Sequence, residues 1–493
     1  MGRLPLWRIL ITGLFAVGCT AGCQTDYRKA SAEVVGHELA GQYAEAASTA
    51  AAAVTANGSG EISRVIFLLE AGRTAQIAGD SSASAEFYAS AFEIVRPYLD
   101  TKPEARVTEA ITTTLVNQTL AEYRGTVTER IMLSTLQAIN RLDLGQYDDA
   151  RIELNRARDW QQDAVEKAAK QIAQSEKALS RKADSSGIPE GKLKVPPVLE
   201  KAYSGLGNLE AYADWQNPFT SWLRGIYLIS NATDDGDVGN ARFDLRQVVA
   251  MNPDARPLVD PDLEAIQRRQ FSPTTWVVFM SGLAPRLEQF RLDIPIPVGN
   301  VNYVAAAFPV LKPMDGALTE LSIHSGEDVV QGVQLADIDA MVAADYEKRL
   351  PVIVMQEIIS AAIKTAGTWA ASQAAGDSGG LVNLAGIIYQ AVTTSADLRT
   401  WRTLPRYIYA ARMATPASGT LELRTTGGRV LGSVRVVPEG DNLVVAVLPA
   451  ATAPTARVQS MRLDPGPGLE QAPSNDSEPP ADPTTTSERS LSG

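Results

Sequence analysis

The stretch Leu144-Gly-Gln-Tyr-Asp-Asp-Ala-Arg-Ile-Glu-Leu-Asn-Arg-Ala157 decides the fold of the first half of the chain. Gly145 interrupts a run whose apolar residues recur at three and four, so it reads as the turn between two helices. Five residues on stands Ala150, small enough for the second helix to lie close against the first. The same spacing recurs at Gly41 and Ala46, at Gly79 and Ser84, and at Gly236 and Ala241. Around these copies the chain from Tyr27 to about Gln270 is dominated by Ala, Leu, Glu, Gln and Arg, all good helix formers.

This recurrence resembles the tetratricopeptide (TPR) repeat, in which glycine ends one helix and a small residue admits the next. The spacing between copies is irregular and the full Trp-Leu-Gly-Tyr consensus is missing, so the repeats are degenerate. Residues 23–270 therefore read as an all-α, TPR-like array, with a loop near 184–198 at Ser185-Ser-Gly-Ile-Pro-Glu-Gly191. Such arrays present a concave face to a partner and rarely carry chemistry.

After Phe271 the period changes to that of strands: TWVVFMSG, QFRLDIPIPV and NYVAAAFPVLK are β-branched or aromatic runs bounded by Gly and Pro. Helical pattern returns from Met341 to Ser395, with a break at Gly376–Gly380. The run Gly419–Pro449 then reads as a β-meander with turns at Gly427-Gly428 and Glu439-Gly-Asp441. Residues 271–449 are thus expected as an α+β domain, and the whole chain as an α+β multidomain protein. From about Ala450 Pro, Ser, Thr, Asp and Gln take over, which reads as a disordered tail over 450–493.

The first residues carry the strongest functional signal. Arg3 and Arg8 precede an apolar run from Ile9 to Gly18, too short to span a membrane, and small residues lead into Cys19 and Cys23. This pattern resembles a bacterial lipoprotein signal over residues 1–22. Cys23 is the expected lipidated residue, with Cys19 as the alternative, because polar sequence begins directly after Cys23. The residue following either cysteine is not Asp, which in a Gram-negative cell implies sorting to the outer membrane. The reading is of a chain anchored through acyl groups and facing the periplasm.

Gly376-Asp-Ser-Gly-Gly380 repeats the string around the nucleophile of trypsin-like proteases. Such an enzyme needs a histidine base and a buried aspartate to orient it. The chain has two histidines, His37 and His324, and neither stands in the surroundings that family uses. Helical pattern flanks the string on both sides, so Ser378 reads as a turn residue between helices. Gly187-Ile-Pro-Glu-Gly-Lys-Leu193 fails as a phosphate loop, since Leu193 replaces the magnesium-binding Ser or Thr. A calcium loop from Asp235 fails because Arg246 occupies the position of the bidentate Glu. Asp337 and Asp339 read as solvated carboxylates or as caps of the following helix rather than an acid–base pair. With two cysteines, both before residue 24, neither a disulfide framework nor a Cys/His metal site is available. No catalytic residue, cofactor or metal is expected. A net charge of −12 without a basic run speaks against nucleic acid.

Two aromatic and arginine clusters stand out. One holds Trp215, Phe219 and Trp222; the other holds Arg399, Trp401 and Arg402. Both suit partner binding or the docking of two domains. Asn217-Pro-Phe-x-Ser-Trp-Leu-x-Gly225, Gly282-Leu-Ala-Pro-Arg286 before Ile294-Pro-Ile-Pro297, Ala396–Pro405, Tyr123–Ala157 and Met341-x-x-x-Asp-Tyr-x-Lys-Arg-Leu-Pro351 together resemble a family of bacterial outer-membrane lipoproteins with TPR-like helices and a C-terminal α+β part. The resemblance covers about Tyr27 to Pro449. It implies a place in envelope or peptidoglycan assembly, with no activity attached. The expectation is a periplasmic scaffold or regulator that binds envelope proteins through its helices. The alternatives are a ligand-binding or enzymatic module acting on cell-wall material through the α+β part, or a chaperone of export machinery.

Overall fold

The computed structural model describes residues 27–56, 63–99, 122–203, 216–295, 304–374, 395–453 and 455–465. Cys19, Cys23, Trp215 and Ser378 lie outside them. The chain opens with helical hairpins: α1 (27–39) with α2 (Tyr43–Ala56), α3 (Arg64–Ala78) with α4 (Ser81–Leu99), and α5 (Val127–Asp143) with α6 (Tyr147–Asp163). Their turns are made by Gly41, Gly79 and Gly145, with φ of 75°, 90° and 71°, a conformation that costs an L-residue about 1–2 kcal/mol. The small residue five positions on is fully buried in each case: Ala46, Ser84 and Ala150. Ser84 Oγ donates to the Gly72 carbonyl across the second hairpin, 2.6 Å away.

After α6 the helix widens into a π turn, Ala164–Ala168, and continues as α7 (Ala169–Ser185). The expected loop follows, interrupted by a 3-10 turn at Glu190–Lys192, and leads into α8 (Pro197–Tyr203). A fourth hairpin joins α9 (Pro218–Ser230) to α10 (Asp235–Met251). Here the glycine expectation needs correction. Gly236 lies in the first turn of α10, and Asp234 starts that helix by accepting the Asp237 N–H at 2.9 Å. Ala241 is nonetheless fully buried, and Leu245 fills the space a Cβ on Gly225 would need. Helix α11 (Arg256–Arg268) closes this half.

Among its described residues the strand-rich half has three sheets. β1 (Thr274–Ser281) is central in a five-stranded sheet, ordered β11 (Arg457–Arg462), β10 (Asn442–Leu448), β1, β7 (Tyr407–Ala414) and β6 (Val333–Asp337). β2 (Arg286–Ile294) and β3 (Val304–Lys312) pair antiparallel as a ribbon. β4 (Ser322–Ser325), β5 (Asp328–Gln331), β8 (Thr420–Arg424) and β9 (Val430–Arg435) form a four-stranded antiparallel sheet. Between β6 (Val333–Asp337) and β7 (Tyr407–Ala414) runs α12 (Ile338–Ala374), with Pro351 inside it.

The expected meander is realised at its first turn only. β8 and β9 form the hairpin around Gly427-Gly428, but β10 (Asn442–Leu448) leaves that sheet and lies parallel to β1. Its residues are all buried, and such a strand belongs in a sheet covered on both faces. Residues 455–465, read from composition as part of a disordered tail, are ordered. β11 (Arg457–Arg462) pairs antiparallel with β10, and the Leu463 N–H donates to the Asp441 carbonyl at 2.8 Å.

Alternation along β1 explains the layering. Val277 and Phe279 face the four-stranded sheet, in a core with Ile323, Leu421 and Leu431. Trp276, Val278 and Met280 face the other way, into a core continuous with the helices. The five-stranded sheet is therefore the middle layer, and the array supplies the cover for one of its faces. No helix among the described residues is long and apolar enough to cross a membrane.

Candidate functional site

Phe219, Trp222, Arg399 and Trp401 sit in the interior, and Arg402 is half-buried. Asn217 caps α9, its side chain accepting the Phe219 N–H at 2.9 Å, and Pro218 takes the first helical position, where no intrahelical donor is lost. Nearly the whole of α9 is buried, Phe219 and Trp222 included, and their rings stack 6.4 Å apart. Thr220 bonds Thr135 of α5 through its hydroxyl at 2.8 Å. The Asn-Pro-Phe motif is thus a helix start driven into the core, not a surface for a partner.

Arg399, Trp401 and Arg402 belong to a loop that docks on the array. Two carboxylates from the helices reach it. Glu129 Oε1 accepts the Trp401 N–H at 2.7 Å, while Oε2 accepts the Thr126 N–H at 2.7 Å and the Tyr123 hydroxyl at 2.5 Å. Glu70 accepts the Arg402 N–H at 3.0 Å, the Thr403 N–H at 3.2 Å and the Thr403 hydroxyl at 2.6 Å. Tyr27 OH lies between Glu70 Oε1 and the Thr400 carbonyl. Both carboxyls are fully buried, and desolvation, opposed by these donors, raises their pKa. Arg399 is clamped by both oxygens of Asp397, at 2.9 and 2.7 Å, and also bonds Ser63 at 3.2 Å. Buried Arg73 reaches the Thr403 carbonyl and the Met280 sulfur. Of the two uses open to this cluster, the geometry is that of docking one part of the fold on another.

The sequence reading missed Glu70 and Glu129. Each had a signal. Thr126-Val-Thr-Glu129 has the spacing of a capping box, and that box is formed. Glu70 stands alone in the apolar run Val65–Ala71, where a carboxylate survives only with partners.

Two concave features stand out among the described residues. A groove of about 360 Å³ lies on the array, between α6, α9 and α10. Its floor is the buried ion pair of Arg224 and Asp244, with Arg224 Nε held by Asn155 at 3.0 Å. Gln162, Gln216 and Gln247 line it with Arg158. Phe243 and Val165 stand at its edge, 58% and 41% exposed.

The second feature is a cleft of about 390 Å³ where the segment entering α5, the π turn, α7 and α12 meet the docking loop. Its charged lining is Arg124, Arg130, Arg349 and Arg399 with Glu122, Asp345 and Asp397. Arg124 Nη2 is 2.9 Å from Glu122, and Arg349 Nη2 is 2.9 Å from Asp345.

The histidines serve neither feature. His37 Nδ1 meets Gln42 at 2.9 Å on the surface, and His324 Nε2 meets Ser322 on β4. Asp337 caps α12 through the Ala340 N–H at 3.0 Å, as expected. Asp339 is buried beside Arg406, 3.0 Å away, and burial lifts it to about 7. No group of three potential metal ligands occurs among the described residues.

Comparison with models of known families, with curated proteins and with solved structures finds no match for this chain. The resemblance drawn from its motifs rests on the residues alone.

Proposed function

We propose that this protein is a lipid-anchored periplasmic scaffold or regulator that binds envelope proteins through its helical array, without catalysis. The groove between α6, α9 and α10 carries the reading. Glutamine side chains both donate and accept, so they match the peptide groups of an extended segment. Phe243 and Val165 offer apolar contacts beside them, and an aromatic at the rim of a groove is a common anchor for a partner. The occupant is an extended segment of another envelope protein, carrying an apolar side chain to meet Phe243. The lipoprotein-like start of the chain supports the location.

A photo-crosslinking residue at Phe243, with a control at exposed Val430 on the four-stranded sheet, tests this in cells. Discrete envelope proteins are expected at 243 and not at 430. The adducts are expected to disappear when Cys23→Ala, combined with Cys19→Ala, releases the chain from the membrane. Adducts at both positions alike, or at neither, would contradict the proposal.

A further inference from the structure

The cleft beside the docking loop points to a second, separate binding site. Its arginines come from distant parts of the chain, the segment into α5, the helix α12 and the docking loop, and the fold brings them onto one hollow. We propose that this cleft binds a small anion carrying carboxylate or phosphate groups.

Four arginines face three carboxylates on the lining, an excess of one positive charge in a chain whose net charge is −12. A cation-rich hollow with protein walls focuses potential and draws anions from an otherwise acidic surface.

The arginines are also preorganised. The Arg349 guanidinium lies over the Tyr346 ring, 4.9 Å from its centroid, and Arg399 lies over Tyr123 at 5.2 Å. Stacking and a neighbouring carboxylate fix the plane of each fork, so little side-chain freedom is lost when an anion arrives. Arg349 Nη2 is enclosed and paired with the Asp345 carboxylate, 2.9 Å away. The rest of the Arg349 side chain is 34% exposed and lines the cleft, so a ligand oxygen there adds to the acceptor that Asp345 already gives it.

A π turn borders the cleft as well. Ala164–Ala168 breaks the regular helix where α6 passes into α7, and Ala168 lines the cleft. Single π turns are uncommon and cluster at functional sites. The volume, about 390 Å³, falls in the range of small-ligand sites.

Calorimetric titration of the full chain with inorganic phosphate, with citrate and with uncharged glycerol is the test. At least one of the two anions is expected to bind and glycerol is not; which anion binds more tightly separates a phosphate ligand from a carboxylate one. Arg349→Gln is expected to weaken that binding about ten-fold or more, the effect of losing a charge-assisted bond. Arg349→Lys, which keeps the charge but not the planar fork, is expected to fall between. Unchanged tryptophan fluorescence shows that a variant is folded; if Arg349→Gln fails that check, Arg349→Lys decides. Binding of neither anion, or equal binding by the wild type and the folded variants, would overturn the proposal.

Discussion

Glu38 shows what a single buried carboxyl does to this fold. It is fully buried on α1, and neither carboxylate oxygen has a hydrogen-bond partner. Burial, and then the neighbouring Glu70, raise its pKa from 4.5 to about 8, against the pull of Arg73 and Arg402. The folded chain therefore holds this proton more tightly than the unfolded chain does. The stability linked to it is complete below about pH 4.5 and is lost as pH rises to about 8. Glu38→Gln removes the linkage. The variant is expected to match the wild type in urea unfolding at pH 4 and to exceed it at pH 8.5 by about 2–4 kcal/mol. A variant less stable at pH 8.5 would show that the carboxylate has a use. Glu70 and Glu129 differ because donors from the docking loop reach them. The capping box marks Glu129 and the apolar run marks Glu70, but the loop near 400 that supplies their donors is one that no local pattern connects to residues 38, 70 or 129. Arg399 and Trp401 were legible as unusual, and their composition fits a surface hot spot as well as a buried junction. Only the fold decides between the two.

At the scale of elements, the hairpin turns were readable because each rests on one local requirement. Gly145 has φ of 71°, and a Cβ there would meet nothing within 4 Å. Gly72 lies inside α3, and a Cβ there would come within 2.4 Å of the Tyr88 ring. The two glycines thus separate backbone strain from close packing. Gly145→Ala is expected to cost about 1 kcal/mol, from the left-handed backbone alone. Gly72→Ala is expected to cost about 2–3 kcal/mol, because a buried tyrosine must move. Denaturant midpoints measured on both variants check the order; a larger loss at Gly145 would contradict it. The strands were less readable. β10 has the apolar run of a buried strand, but nothing local says whether it continues the β8–β9 hairpin or crosses to lie beside β1. The partner of β10 is set by the uncovered edge of β1, on the far side of the sequence. The π turn left no mark either, since Ala-Val-Glu-Lys-Ala reads as ordinary helix.

For the whole molecule, the change of period at Phe271 marks a change of secondary structure but not a boundary of the core. Trp276, Val278 and Met280 lie in one apolar cluster with Leu136 and Trp222 of the array. The Trp276 indole donates to Asp262 of α11 at 3.0 Å, and Arg412 of β7 holds the other oxygen of that carboxylate. Glu70 and Glu129 bind the array to the docking loop through backbone donors that would lose their partners on separation, at about 1–3 kcal/mol each. Removing the array would also bring one face of β1 and its neighbours into water. Neither half can let go without exposing the other, so the described fold is expected to unfold as one cooperative unit. Far-UV circular dichroism reports mainly the helices, while pulsed hydrogen exchange of the β1 and β10 amides reports the sheet. In a urea titration of the full chain the two signals are expected to share one midpoint. In Glu70→Ala both are expected to move down together, because the loss falls on a junction common to both halves. Two separated transitions in the wild type, or a sheet signal that stays in place while the helical signal moves, would show that the two halves fold on their own.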